Sequence, residues 1–180
     1  PNSSSRCSGW TFIVRLVPPG YRFFRLTIRA IVGNPSSSNN WCGVREVEIR
    51  ETPGGPNLLA DAVSIEYKPD TPGTGYEQDV YGDPMGIVDG SYAANNGWAY
   101  CIGADHAGLP AWIVIQASRP IIPAEVAIGA YPTSTRTDVR STRDFDLEAS
   151  IDGQTWELLK EVRNLTWTTD YTQPQVISLL

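Results

Sequence analysis

Residue types that many catalytic and metal sites need are scarce in this chain of 180 residues. It contains one histidine, His106, and one methionine. No GxSxG, P-loop, GxGxxG or HExxH motif occurs. A Ser-His-Asp or Cys-His mechanism would have to use His106, which lies among small residues in 103–108. These absences predict a protein that is not an enzyme.

Lysine is also rare, and the balance of charge is negative. Lys68 and Lys160 are the only lysines, beside 12 arginines and 20 acidic residues, and the net charge is −6. Nucleic acids and anionic membranes attract proteins with a positive field, so we expect neither as a partner. No apolar run approaches the roughly 20 residues of a membrane-spanning helix.

The three cysteines are too few and too widely spaced for a disulfide-dense scaffold. They are Cys7, Cys42 and Cys101, and no CxxC pair occurs. The usual zinc and redox motifs are therefore excluded. The sequence leaves open whether all three are thiols or two of them form a disulfide.

Period-two alternation of apolar and polar residues is the strongest local pattern. In Tyr21–Ile31 it places Phe24, Leu26, Ile28 and Ala30 on one face. Further strands are predicted at Val44–Arg50, Trp112–Gln116, Glu125–Tyr131, Asp144–Ser150, Trp156–Leu159 and Pro174–Leu180. We therefore predict an all-β fold, a β-sandwich or jelly roll.

Glycine and proline divide the chain into short segments. The 16 glycines and 14 prolines disfavour long helices, and Ala60–Tyr67 is expected to make one or two helical turns at most. Asp152-Gly153 predicts a tight hairpin turn. Thr71–Gly86 and Pro132–Arg143 are expected to be long loops. We predict a leader or connector with one edge strand at residues 1–19, and a single sandwich domain at residues 20–180.

Three segments carry a resemblance to a known family. They are Ile87-Val88-Asp89-Gly90 followed by Trp98, residues 110–115 (PAWIVI) and residues 145–156 (FDLEASIDGQTW). These are similar to the DG…W, W-[IV]-x-[IV] and F-x-[LV]-x-x-S-x-DG-x-x-W motifs of the discoidin, or coagulation factor V/VIII type C, domain. The family 32 carbohydrate-binding modules are its relatives. The resemblance implies a galactose-binding-like jelly roll.

The order of the segments differs from that of the family. Family members usually close with a strand like yRyvRi and then E-[IV]-x-[VIL]. Here the matching residues come first, at 21–26 (YRFFRL) and 46–49 (EVEI). The order resembles a circular permutation, as in some phage tail and virion proteins, and permutation is compatible with termini that lie close together.

The resemblance also implies what the chain does. Members of the family bind glycans, phospholipid head groups or proteins through loops at one end of a rigid sandwich. We therefore expect a non-catalytic, lectin-like carbohydrate-binding module within a larger multidomain protein. Its expected partners are a glycan or cell-surface polysaccharide and the other domains of the parent chain. Its expected location is extracellular, on a cell surface or on a virion.

Many family members hold a structural calcium ion, and the resemblance carries its ligands over to Asp89 and Glu46. Asn96 stands where the family has a threonine two positions before the tryptophan, and the segment before Trp98 is longer than usual. Calcium takes six to eight oxygen ligands, so main-chain carbonyls would complete the site.

Sugar recognition combines a flat apolar ring with rigid polar groups. Residues 163–171 form a polar segment with two aromatic residues, and the family often uses an aromatic residue in this late loop. The predicted glycan-binding residues are Trp167, Tyr131, Arg136, Arg140, His106, Tyr100 and Tyr171. In contrast, we expect Trp98, Trp112 and Trp156 to lie in the core, and most acidic residues on the strands to face solvent.

Three alternatives remain open at this stage. The first is a structural or protein-interaction domain of a phage tail or virion protein, without a glycan ligand. The second is a hydrolase, which would need two paired carboxylates; Glu77, Asp138, Asp144 and Asp170 are acidic residues of loops or strand ends, but no pair is apparent. The third is membrane binding through Leu109 at a loop tip.

Overall fold

The computed structural model describes residues 19–33, 41–67, 84–92, 97–102, 108–131, 140–167 and 173–180. These ranges contain β-strands and one 3₁₀ turn at Pro84–Ile87. The strands are β1 Tyr21–Ile31, β2 Trp41–Val44, β3 Val47–Arg50, β4 Ser64–Tyr67, β5 Trp98–Cys101, β6 Ala111–Ile121, β7 Glu125–Ile128, β8 Thr142–Ser150, β9 Glu157–Val162 and β10 Gln175–Ser178.

The strands form antiparallel sheets that pack as a sandwich. A five-stranded sheet has the order β4-β6-β1-β8-β9, a three-stranded sheet has the order β10-β7-β3, and β2 pairs with β5. The prediction of an all-β sandwich is therefore confirmed. The jelly-roll connectivity and the permuted order stay predictions.

The core lies between the inner faces of the two larger sheets. On β1, Phe24, Leu26 and Ile28 are at most 1% exposed. They belong to one buried cluster with residues of β6 and β8, and with Val47, Ile49, Val126 and Ile128 of the three-stranded sheet. Burying each such side chain contributes about 1.5–3 kcal/mol, so alternation on the long strands stabilises the sandwich.

The strands depart from the sequence predictions at three places. β1 has a register irregularity between Ile28 and Ala30, and Ile31 is buried where Ala30 was expected to be. A bulge of this kind adds a residue and reverses the alternation beyond it. Ala60–Tyr67 is predicted to make one or two helical turns, but its second half, Ser64–Tyr67, forms β4 because it pairs in register with β6. The predicted strand Val44–Arg50 divides into β2 and β3 around Arg45 and Glu46.

The expectation that acidic residues face solvent is wrong for three of them. Glu46, Glu48 and Asp146 are at most 8% exposed. Glu48 accepts hydrogen bonds from Arg50 and from the Tyr92 hydroxyl, the latter at 2.6 Å. Ion pairing and hydrogen bonding allow buried carboxylates to stay in place.

No helix within the described ranges is long and apolar enough to span a bilayer.

Candidate functional site

The outer face of the five-stranded sheet carries polar and aromatic residues in rows across the strands. Phe23 of β1 pairs with Gln116 of β6 and Ser150 of β8. Ser64 of β4 pairs with the same Gln116 and donates a hydrogen bond to its Oε1 at 3.1 Å. Because side chains directly opposite one another lie on the same face, this row forms a continuous strip over β4, β6, β1 and β8.

A second row lies beside the first. Arg25 of β1 pairs with Val114 of β6 and Glu148 of β8, and Val114 pairs with Glu66 of β4. One pair further along, Trp112 lies opposite Thr27. Glu66 is exposed and Trp112 is partly exposed, so the rows present both rings and polar groups to solvent.

These rows form the floor of a groove of about 360 Å³, which we call the sheet-face groove. Its aromatic lining consists of Phe23, Trp112 and Trp156. Its polar and charged lining consists of Arg25, Ser64, Glu66, Gln116 and Asp152. Concave sites that combine aromatic rings with a few polar groups are typical of ligand-binding sites.

Arg25 is held rigidly within this groove. Its Nε and Nη2 each donate to the Glu148 carboxylate at 2.7 Å, and Thr27 Oγ1 donates to the same carboxylate at 3.0 Å. The hydrogen bonds from Arg25 are the main reason that the pKa of Glu148 lies below its ordinary value. The Arg25 guanidinium carbon lies 4.2 Å from the centroid of the Trp156 ring, a cation–π distance that fixes this ring over the sheet.

The turn between β8 and β9 brings Trp156 to the groove. Asp152 Oδ1 accepts hydrogen bonds from Gln154 N and Thr155 N at 2.8 Å and from Ser150 Oγ at 2.9 Å. Hydrogen bonds from the main chain, first that of Thr155, lower the pKa of Asp152 to about 2. Gly153 has φ 75°, which favours glycine. Asp152 and Gly153 thus lie in a turn as predicted, but the connection between β8 and β9 spans residues 151–156 and is longer than a tight hairpin turn.

Trp112 and Trp156 are not core residues, contrary to the prediction. On β6, Ala111, Ile113 and Ile115 are buried, so period-two alternation places Trp112 on the opposite, outer face. The signal was present in the sequence as this alternation, but the resemblance to the family favoured a core assignment. Trp98 lies in β5, and its side chain is not among those described.

Three of the predicted glycan-binding residues lie around one short segment, 140–142. Trp167 Nε1 donates to the Thr142 carbonyl oxygen at 2.9 Å, and Tyr131 N donates to Ser141 Oγ at 2.9 Å. The Arg140 guanidinium lies over Trp41, 5.9 Å from the ring centroid. We call Trp41, Tyr131, Arg140 and Trp167 the loop-end cluster. Trp167 packs against the core as well, so its ring supports the fold.

The other predicted binding residues cannot be placed in the same way. Arg136, His106 and Tyr171 lie outside the described residues, as does the predicted calcium ligand Asn96. Tyr100 belongs to β5 and pairs with Cys42, but its side chain is not described.

The two other predicted calcium ligands, Glu46 and Asp89, lie close together. Glu46 is fully buried, and its Oε1 accepts hydrogen bonds from Gly90 N at 3.2 Å and Asn57 Nδ2 at 3.3 Å. Its Oε2 is buried without a hydrogen-bond partner among the described residues. Burial, with a smaller contribution from the charge of Asp89, raises the pKa of Glu46 to about 9.

A buried carboxylate oxygen without a partner is rare in proteins, and a bound cation would supply one. The unpartnered oxygen of Glu46 is compatible with a bound cation, and Asp89, an exposed acidic residue beside it, is the second candidate ligand. No group of three or more His, Cys, Asp or Glu residues in the described ranges is placed to hold a metal. A calcium site here would accordingly depend on main-chain carbonyl oxygens.

Comparison with protein-family models, with curated proteins and with solved structures finds no match to this chain. The similarity to discoidin domains accordingly remains a prediction from the three sequence motifs.

Proposed function

We propose that this chain is a non-catalytic carbohydrate-binding domain whose ligand lies in the sheet-face groove. The observation that carries the proposal is the combination of Phe23, Trp112 and Trp156 with polar side chains in one rigid concave surface. Aromatic faces stack on the C–H groups of sugar rings, while fixed polar groups bind hydroxyls. A glycan ligand would place the domain outside a cell, on a cell surface or on a virion.

Two carboxylates at the groove, Asp152 in its lining and Glu148 behind Arg25, are unsuited to the general-acid step of hydrolysis. Glycosidases need one carboxyl group that stays protonated as a general acid, beside a second carboxylate. Asp152 has a pKa of about 2, and hydrogen bonds from Arg25 lower the pKa of Glu148. Both groups are thus ionised near neutral pH, when neither can donate a proton to a leaving group.

Calcium forms the structural part of the same proposal. An ion bound by Glu46 and Asp89 would favour the ionised form of the buried Glu46 side chain, whose pKa is otherwise raised, and would join the start of β3 to the segment 88–90. It would stabilise the fold, and it lies outside the set of residues that line the groove.

A glycan array tests the proposed function directly. The domain would be screened with and without calcium, alongside the variants Trp112→Ala and Trp156→Ala. We expect binding to a defined glycan class, and a loss of roughly tenfold or more in each variant, because each removes a stacking ring.

Leu158→Ala is the matched control, since Leu158 is 52% exposed on the adjacent strand and does not line the groove. Circular dichroism would verify that every variant is folded. No binding on a broad array would overturn the proposal in favour of a structural or virion-interaction domain. If the wild type and both tryptophan variants bound equally well, the groove would be excluded as the glycan-binding site.

A further inference from the structure

The charged residues that line the sheet-face groove are mostly acidic, although arginine is common in the chain. Arg25 is the only cationic residue in its lining, and two carboxylates, Glu66 and Asp152, lie beside it. The guanidinium of Arg25 is already paired with Glu148 through two hydrogen bonds of 2.7 Å. The groove therefore presents negative charge to a ligand, on a chain whose net charge is also negative.

An anionic ligand would meet repulsion without a compensating cation. Recognition of carboxylate or sulfate groups normally uses an arginine or lysine that is free to bind them. Arg29 and Arg163 are paired as well, since both bind the carboxylate of Asp146. Like-charge contacts of this kind lower affinity and depend on salt.

An uncharged sugar chain would find partners for its hydroxyl groups. Glu66 and Asp152 carry oxygens that accept hydrogen bonds from hydroxyls. The hydrogen bond from Ser64 to Gln116 Oε1 orients that amide, so that its nitrogen is left to donate to a ligand. The three aromatic rings supply apolar surface for the faces of sugar rings.

The shape of the groove points to a chain rather than to a single terminal sugar. Its lining extends from Ser64 and Glu66 on β4, across β6 and β1, to the turn after β8. Neighbouring strands lie about 4.8 Å apart, so three spacings cover about 14 Å. This length exceeds that of one pyranose ring.

We infer that the sheet-face groove binds an internal stretch of an uncharged polysaccharide and discriminates against acidic glycans. The inference rests on the proposed function and adds the ligand class to it. It locates selectivity in Glu66 and in the neutralisation of Arg25 by Glu148.

Pairs of polysaccharides that share a backbone and differ in a charged substituent provide the test. Affinity electrophoresis would compare dextran with dextran sulfate and hydroxyethylcellulose with carboxymethylcellulose. We expect the neutral member of at least one pair to bind, and its anionic counterpart to bind roughly tenfold more weakly at low salt. The difference should shrink as salt is raised.

Glu66→Gln is the variant that tests the origin of the selectivity. Glu66 is exposed, so the change should leave the fold intact. We expect the ratio of neutral-chain affinity to anionic-chain affinity to fall in the variant, because the substitution removes a repulsion that only the anionic chain experiences. An unchanged ratio would refute the role of Glu66.

A length series of the neutral oligosaccharide completes the experiment. The tetrasaccharide should bind more tightly than the disaccharide, and the disaccharide more tightly than the monosaccharide. Equal affinities would overturn binding to an internal stretch. Stronger binding of the anionic member of a pair would overturn the inference on charge and leave the glycan-binding function standing. If no glycan bound in these experiments or on the array, both the inference on ligand class and the proposed glycan-binding function would be overturned.

Discussion

The sheet-face groove and the loop-end cluster both contain tryptophan and arginine, but they use them differently. In the loop-end cluster, Trp167 donates its indole hydrogen to the Thr142 carbonyl oxygen and packs against the core. In the groove, Trp112 lies on the outer face of β6, away from the buried residues of that strand. Trp167, in a polar segment, thus stabilises the fold, while Trp112, in an apolar run, is partly exposed on the surface.

The difference shows that local polarity is a poor guide to which ring is available to a ligand. Trp167 is a predicted binding residue because it lies in a polar segment, and Trp112 is predicted to lie in the core because it occupies a structural position of the family motif. What decides the outcome is what each ring meets in the folded chain. Trp112 pairs across the sheet with Thr27 on the outer face. Trp167, which lies outside the strands, packs against the core and donates to the Thr142 carbonyl oxygen.

Replacing Trp167 with alanine should have the largest effect on stability among the substitutions considered. The change removes a half-buried ring and leaves the Thr142 carbonyl oxygen without its indole donor, so we expect a loss of about 3 kcal/mol in unfolding free energy. Urea denaturation would measure it. The glycan affinity of the folded fraction should not change, while Trp112→Ala should show the reverse behaviour. A loss of affinity without a loss of stability in Trp167→Ala would move the binding site to the loop-end cluster.

Calcium binding should have the next largest effect on the stability of the fold. If Glu46 and Asp89 bind the ion, calcium at about 100 times its Kd should stabilise the fold by ~2.7 kcal/mol, seen as a higher Tm. Glu46→Gln should abolish this increase, and Glu161→Gln, at an exposed position on β9, should retain it. Binding to the groove should be equal with calcium and with a chelator. An equal Tm with calcium and with a chelator would contradict the proposal that Glu46 and Asp89 bind calcium.

The carboxylate of Asp146, beside the groove, should contribute somewhat less to the free energy of unfolding than calcium does. Asp146→Asn weakens its ion pairs with Arg29 and Arg163, and we expect a loss of about 2 kcal/mol. This is less than for a fully buried pair because both arginines are partly exposed. Unfolding at neutral pH would measure the loss. A variant as stable as the wild type would mean that solvent screens these pairs completely.

The pH dependence of stability follows from the same groups. Burial raises the pKa of Asp146, but hydrogen bonds from Arg163 and Arg29 outweigh it and leave the pKa below its ordinary value. A carboxyl whose pKa is lower in the folded state stabilises the fold above its unfolded pKa of about 4, and this contribution is lost as pH falls through the folded pKa. Stability should therefore decline below about pH 4, and less steeply in Asp146→Asn. Parallel acid titrations would check this.

The smallest expected effect concerns the turn under Trp156. Gly153 has a positive φ, and an added Cβ would lie 3.4 Å from the Phe23 ring. Gly153→Ala should cost about 1 kcal/mol of stability and lower glycan affinity slightly by displacing that ring. Gly54→Ala is a matched control, since Gly54 also has a positive φ but an added Cβ there meets no described atom within 4 Å. If both variants lost affinity equally, contact with Phe23 would have no part in binding.

Much of the fold could be predicted from the sequence because β1, β6 and β8 alternate over long stretches. Their inner residues, such as Leu26 and Leu147, are buried as this pattern requires. The short strands β4 and β5 were not predicted, since four residues carry too little alternation and their pairing partners are distant in sequence. Strand order depends on such distant pairing, so a one-dimensional pattern does not determine it.

The sites could be predicted only in part, for the same reason. Alternation with Val47 would place Glu46 toward solvent. In the structure, β3 begins only at Val47, so Glu46 lies outside the strand and does not follow its alternation. The groove requires β4 and β1 to flank β6, which no local motif indicates. By contrast, the turn at Asp152 and Gly153 depends on neighbours in the chain and could be predicted from two residues.

The placement of the groove on paired strands has a consequence for how such a domain can diversify. A site on loops changes by insertion and deletion, whereas a residue inserted into a strand would turn every following side chain to the other face. Point substitution at positions 64, 66, 112 and 116 is the route that remains. Each of these positions faces away from the core, so successive substitutions can alter the ligand while the inner face of the sheet stays as it is.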